Sequence, residues 1–135
     1  MAYKNGVENM QRIALIMKRK PVVKSIMDRL AEESDTHVEF GFNYEEAVSV
    51  AINMDATVVL VEVAESGYYT VEYCLMLCDL IRNQKSSCKV LLLCPEQDGE
   101  SVKQSISAKA NGRIDDFAFY ETSTDYLIAK LISLQ

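Results

Sequence analysis

The sequence carries a single histidine, His37, among 135 residues. It opens an alternating stretch (HVEFGF) with no serine or cysteine partner in a triad-like context, so it reads as a surface residue. No apolar run approaches the ~20 residues of a membrane-spanning helix. The opening MAYKNGVENMQ lacks the apolar block of a secretory signal, so the expectation is a cytoplasmic protein whose four cysteines are reduced thiols. Basic residues are in the minority, 14 against 20 acidic, for a net charge of −6. That balance argues against a nucleic-acid footprint spread over a whole face. Neither G-x-G-x-x-G nor G-x-x-x-x-G-K-[ST] occurs, which removes the familiar phosphate-cradling loops. Internal repeats, low-complexity stretches and linkers are also missing.

What is present alternates between two kinds of segment. Arg12–Met17 (RIALIM) is short and apolar. Pro21–Glu33 then places Val22, Val23, Ile26 and Leu30 at helical spacing, with Pro21 suited to the first turn. His37–Phe42 alternates like a less buried strand, and Tyr44–Met54 is helical, with Asn43 as its N-cap. Thr57–Val63 (TVVLVEV) and Cys88–Cys94 (CKVLLLC) are continuously apolar, the pattern of strands covered on both faces. Tyr69–Arg82 is a long helix. Ser101–Ala110 is a weaker one that stops at Asn111-Gly112. Ile114–Tyr120 is a strand, and Thr124–Leu134 a final amphipathic helix. Five β-α units with short connections predict a three-layer α/β/α domain. Its five-stranded parallel sheet would follow the flavodoxin-like order 2-1-3-4-5. A Rossmann half with another strand order is the competing architecture. Residues 1–11 read as an N-terminal extension and residues 12–135 as the domain. The last helix exhausts the sequence and leaves nothing for an output domain, although a longer parent protein is equally compatible.

In such a sheet, ligands collect at the carboxyl ends of the strands. The residues there are Met17-Lys18-Arg19-Lys20, Glu62 to Gly67, Cys94-Pro95 and Tyr120-Glu121-Thr122. With DATVVLVEVAESG (Asp55–Gly67) and DDFAFYETS (Asp115–Ser123), this order and spacing resembles the receiver domain of two-component response regulators from Arg12 onward. The resemblance implies a CheY-like signalling domain. Receivers take a phosphoryl group onto an aspartate ending strand three. An acidic pair after strand one holds Mg²⁺, a Ser/Thr follows strand four, and a lysine ends strand five. Here Glu62 stands at the aspartate, Lys18 and Arg19 at the acidic pair, Cys94 at the hydroxyl and Tyr120 at the lysine.

Those substitutions remove the chemistry. Mg²⁺ needs carboxylate oxygens, and two cations repel it. Phosphoryl transfer rests almost wholly on metal and charge stabilisation of the moving group. A thiol is a weak donor beside a hydroxyl. The expectation is therefore a pseudo-receiver that takes no phosphoryl group, is not an enzyme, needs no cofactor and works by protein contact. Its altered pocket comprises Lys18, Arg19, Glu62, Cys94 and Tyr120. Glu62 paired with Lys18 or Arg19 would replace the metal-centred charge network; three solvated side chains are the plainer alternative.

Other features point to partners. Phe42, Tyr44, Tyr68, Tyr69 and Tyr120 form an aromatic rim beside the basic run, a composition suited to a protein interface. The fourth helix, fifth strand and fifth helix, carrying Phe117 and Tyr126, are the candidate homodimer face. The run Lys18-Arg19-Lys20 before Pro21 also resembles an anion site at a helix start, which gives the alternative function, binding of an anionic metabolite or nucleotide. Cys74 and Cys78 share a helix face. Together with Cys88, Cys94 and His37 they match no closed zinc motif, so they read as core hydrophobes and no metal site is expected.

Overall fold

The three most apolar runs occupy the middle of one parallel sheet. A computed structural model describes residues 10–33 and 35–134. Its strands are β1 (Gln11–Ile16), β2 (Thr36–Gly41), β3 (Val58–Glu62), β4 (Lys89–Cys94) and β5 (Asp116–Phe119). They pair in the order β2-β1-β3-β4-β5, every neighbour parallel, with Ile13 opposite Val58, Val61 opposite Leu92 and Leu93 opposite Ala118. The helices are α1 (Lys20–Leu30), α2 (Ala47–Asn53), α3 (Val71–Gln84), α4 (Gly99–Ala110) and α5 (Thr124–Ser133). This is the flavodoxin-like order the alternation predicts, not the Rossmann one. Most of the N-terminal extension, residues 1–9, lies outside the described residues.

Strand parity explains why the central runs are apolar throughout. Ile13, Leu15, Met17, Val58, Leu60, Leu91 and Leu93 face α1 and α5, while Ala14, Ile16, Val59, Val61, Val90 and Leu92 face α2, α3 and α4. Each β-strand sends alternate side chains to opposite layers, so a sheet covered twice needs apolar residues at every position. The edge strand β2 is covered less and keeps only Val38 packed inward.

Side chains capping the helices fix where the loops leave the sheet. Thr70 accepts from the Tyr73 N–H, Asp98 from that of Ser101 and Ser123 from that of Tyr126. Asn43 caps a 3-10 turn, Tyr44–Glu46, that precedes α2, so the α-helix begins at Ala47 and not at Tyr44. Strand β1 starts at Gln11, one residue before the expected Arg12. Gln11 is buried, and its Nε2 donates to the carbonyls of Leu131, Ile132 and Leu134 at 3.2–3.4 Å. Leu131 and Ile132 lie in the last turn of α5, whose carbonyls need donors from outside the helix, and Leu134 is its C-cap. Among the described residues, no helix is long and apolar enough to cross a membrane.

Candidate functional site

Glu62, the last residue of β3, lies on the α1/α5 side at the carboxyl edge of the sheet, and its side chain is 1% exposed. A carboxylate buried this far needs donors, and the chain supplies three. Its Oε1 accepts from the backbone N–H of Lys18 at 2.9 Å and of Arg19 at 3.2 Å. Its Oε2 accepts from Arg19 Nε at 2.5 Å. Arg19 is the N-cap residue of α1, so the carboxylate also sits at the positive end of that helix. The anion at this helix start is thus the protein's own glutamate.

Each cation of the basic run meets an aromatic ring from a different part of the fold. Lys18 Nζ lies 4.6 Å from the Tyr69 ring and 5.5 Å from the Tyr44 ring. The Arg19 guanidinium lies 3.7 Å from the Tyr120 ring, and Lys20 Nζ 5.2 Å from Phe42. Lys18 therefore contributes its backbone to Glu62 and its charge to the tyrosines, while Arg19 makes the ion pair. A planar guanidinium can donate in its plane and stack on its face at once, which an ammonium cannot do.

Two tyrosines hold the strand exit from below and above. The Tyr44 hydroxyl donates to the Glu62 carbonyl at 2.5 Å, and the Tyr120 hydroxyl to the Val63 carbonyl. Tyr44 stacks on Tyr69, with centroids 4.2 Å apart and planes 14° apart. Burial, reinforced by the nearby Glu62 charge, pushes both phenols well above their ordinary value of 10.0. Cys74 Sγ also lies 3.7 Å from the Glu62 carbonyl. Burial first, then Glu62, pushes this thiol up to about 12.

The structure brings Lys18, Arg19, Glu62 and Tyr120 together but leaves Cys94 out. Cys94 faces α4, where its sulfur accepts from Ser105 Oγ at 3.8 Å, because its strand position points to the opposite layer from Glu62. The aromatic rim also needs correction. Tyr44 is fully buried, Phe42, Tyr69 and Tyr120 are half-buried under cations, and only Tyr68 of these five is freely exposed, at 89%. Rings at a sheet edge beside three cations satisfy them internally before any partner arrives. No tyrosine signature in the sequence marks Tyr44 as inward; the small Ala47 and Ala51 that follow it are the available clue, since they leave room for its ring. His37 is half-exposed and bonded to Glu39. All four cysteines are free thiols buried in the core, and no group of three or more metal-ligating side chains converges among the described residues.

The site is a closed charge network. Both Glu62 oxygens accept hydrogen bonds, one of them from the partly exposed Arg19 side chain. No protein-family model matches the sequence, and no curated protein does. Solved structures do match. A response regulator from Thermotoga maritima superposes with a TM-score of 0.71 at 22% identity, over 92% of this chain and 98% of that one. The N-terminal domain of the nisin resistance regulator NsrR gives 0.73 at 17%, over 92% and 97%. A BeF3-activated DrrB receiver domain gives 0.67 at 22%, over 90% and 93%.

The fold is that of receiver domains.

On the receiver fold, Glu62 closes the third strand, Lys18 and Arg19 follow the first, and Tyr120 follows the fifth. Their convergence at one edge is a consequence of the 2-1-3-4-5 strand order, which sets β3 beside β1.

Proposed function

We propose that this chain is a receiver-like signalling module of the cytoplasm that works by protein contact and takes no phosphoryl group. The observation that carries the reading is the Glu62 carboxylate, buried and bonded by Arg19 and two backbone N–H groups. An acceptor carboxylate must present a free oxygen to the donor and share a metal ion with it. Both Glu62 oxygens accept hydrogen bonds, a guanidinium is bonded to one of them, and among the described residues no group of three metal-ligating side chains forms. On this reading the Glu62–Arg19 pair takes the place of the charge network that phosphoryl and metal would build. The same geometry speaks against the anion-binding alternative, since the cations of Lys18, Arg19 and Lys20 are already engaged.

The proposed self-contact lies on α4, β5 and α5. Strand β5 is a sheet edge, and beside it a shallow groove of about 410 Å³ is lined by Phe117, Ala118, Phe119, Thr122, Ser123 and Tyr126. Ile106 and Tyr126 are more than half exposed. Asp116 receives Lys109 from α4 and Lys130 from α5. A patch with charges of both signs around apolar residues is self-complementary, as a twofold interface requires.

Acetyl phosphate or beryllofluoride with Mg²⁺ tests the first part. Intact mass and amide NMR spectra are expected to stay unchanged. A phosphoryl adduct lost in Glu62→Gln would overturn the reading.

A further inference from the structure

We infer that the outer face of α3, with its α2 border, docks a basic amphipathic helix of a partner protein. The surface is separate from the Glu62 pocket and from β5. The inward side of α3 carries Val71, Cys74, Leu75, Leu77, Cys78 and Ile81, all buried, which satisfies its core. Three more large side chains, Tyr73, Met76 and Leu80, follow at spacings of three and four on the opposite side. Met76 is 44% exposed and Leu80 42%. Residues at that spacing form one stripe along a helix; Tyr73 is half-buried against the core and Tyr69, whereas Met76 and Leu80 stand out from it. Val48 of α2 packs, as Tyr73 does, against the core layer on this side of the sheet.

The charges around the stripe select its occupant. Glu45 and Glu46 lie on the turn before α2, and Glu45 is close enough for its charge to act on the Tyr73 ring. On the other side Gln104 donates to Glu72 at 3.1 Å and to Glu100 at 2.8 Å, so two carboxylates share one neutral amide. None of these four acids is paired with a cation among the described residues. An apolar stripe bordered at its Tyr73 end by uncompensated acids, with Asp79 near its other end already paired to Arg113, fits a helix with apolar anchors and flanking lysines or arginines at one end. A second copy fits poorly, because it would bring the same acids to the contact. Methionine at the centre suits such a contact, since its unbranched chain adapts to the anchor.

The probe is a leucine/lysine helical peptide of about five turns, titrated into the ¹⁵N-labelled chain at about 150 mM salt, where diffuse attraction is screened. Saturable shifts are expected at Val48, Tyr73, Met76 and Leu80. Leu80→Asp is expected to weaken binding about tenfold or more, Leu80→Met to retain it, and Tyr126→Asp on the β5 side to leave it unchanged. Circular dichroism checks that Leu80→Asp is folded; if it is not, Met76→Lys takes its place. Shifts centred on β5 or scattered over every acidic loop would overturn the inference. So would binding indifferent to Leu80→Asp, absence of saturation, or α3 signals that move with chain concentration alone.

Discussion

The Arg19 guanidinium lies over the ring of Tyr120, 3.7 Å from its centroid, while its Nε holds Glu62 Oε2. The guanidinium thus joins β3 to the exit of β5 across the top of α1. A loop residue, a strand end and a second loop are tied by one side chain. Removing it leaves Glu62 on two backbone N–H groups and Tyr120 on the Val63 carbonyl.

A double-mutant cycle measures that tie. Arg19→Ala leaves a buried carboxylate with backbone donors only and is expected to cost about 2 kcal/mol, below the range for fully buried pairs because Arg19 is partly exposed. Glu62→Gln turns an amide donor toward the guanidinium. The coupling from urea unfolding is expected above ~1 kcal/mol; a value under ~0.5 kcal/mol would mean two independent charges. Lys18→Ala is expected to cost less than ~1 kcal/mol, as an exposed cation–π contact does.

Alkaline stability follows from the buried thiols. Burial pushes Cys74 from its ordinary 9.0 up to about 12 and Cys88 up to about 11. Between pH 9 and about 11 the unfolded thiols ionise while the folded ones stay neutral, so the unfolded chain binds fewer protons. Stability is therefore full below pH 9 and falls as pH rises, by roughly 1.4 kcal/mol per unit and per thiol. Urea midpoints measured across this range are expected to decline, and Cys74→Ala to flatten the slope. An unchanged slope in that variant would contradict the assignment.

Asp55, two residues past the end of α2, has φ at 55°, a left-handed backbone, and its carboxylate receives Arg12 and Lys85. Asp55→Ala and Asp55→Gly lose the same ion pairs, but only alanine also pays for the backbone. The glycine variant is expected to be more stable by about 1 kcal/mol. Equal melting temperatures would show that the turn is unstrained.

Self-association on α4, β5 and α5 is expected to appear by sedimentation at ~100 μM, since interfaces of standard size bind more tightly than that. Tyr126→Glu is expected to give a monomer with unchanged circular dichroism. A monomeric parent chain at that concentration would remove the proposed dimer.

The strand order was readable because TVVLVEV and CKVLLLC leave no polar face, so they had to be central. The convergence of Glu62 with the basic run was readable from the same logic, since both follow adjacent strands. Which of two adjacent cations pairs with Glu62 was not. Spacing cannot distinguish Lys18 from Arg19, and the outcome rests on guanidinium geometry and on where Tyr69 and Tyr120 stand in space. The burial of Tyr44 was hidden for a related reason. Its hydroxyl partner is a backbone carbonyl 18 residues away, which no local pattern announces. Order and spacing put Cys94 at the end of β4, but strand parity turns its side chain into the α4 layer, away from Glu62.

The clasp between Gln11 and the end of α5 spans 120 to 123 residues. During synthesis, β1 is made first yet waits for β3 to pair on one side and for the last helix to receive its amide. At ribosomal speeds of ~5–20 residues per second, that wait is on the order of ten seconds. For that interval Ile13, Leu15 and Met17 have no α5 to cover them. The stage most exposed to chaperones and to misassembly is thus the nascent chain that still lacks its final helix.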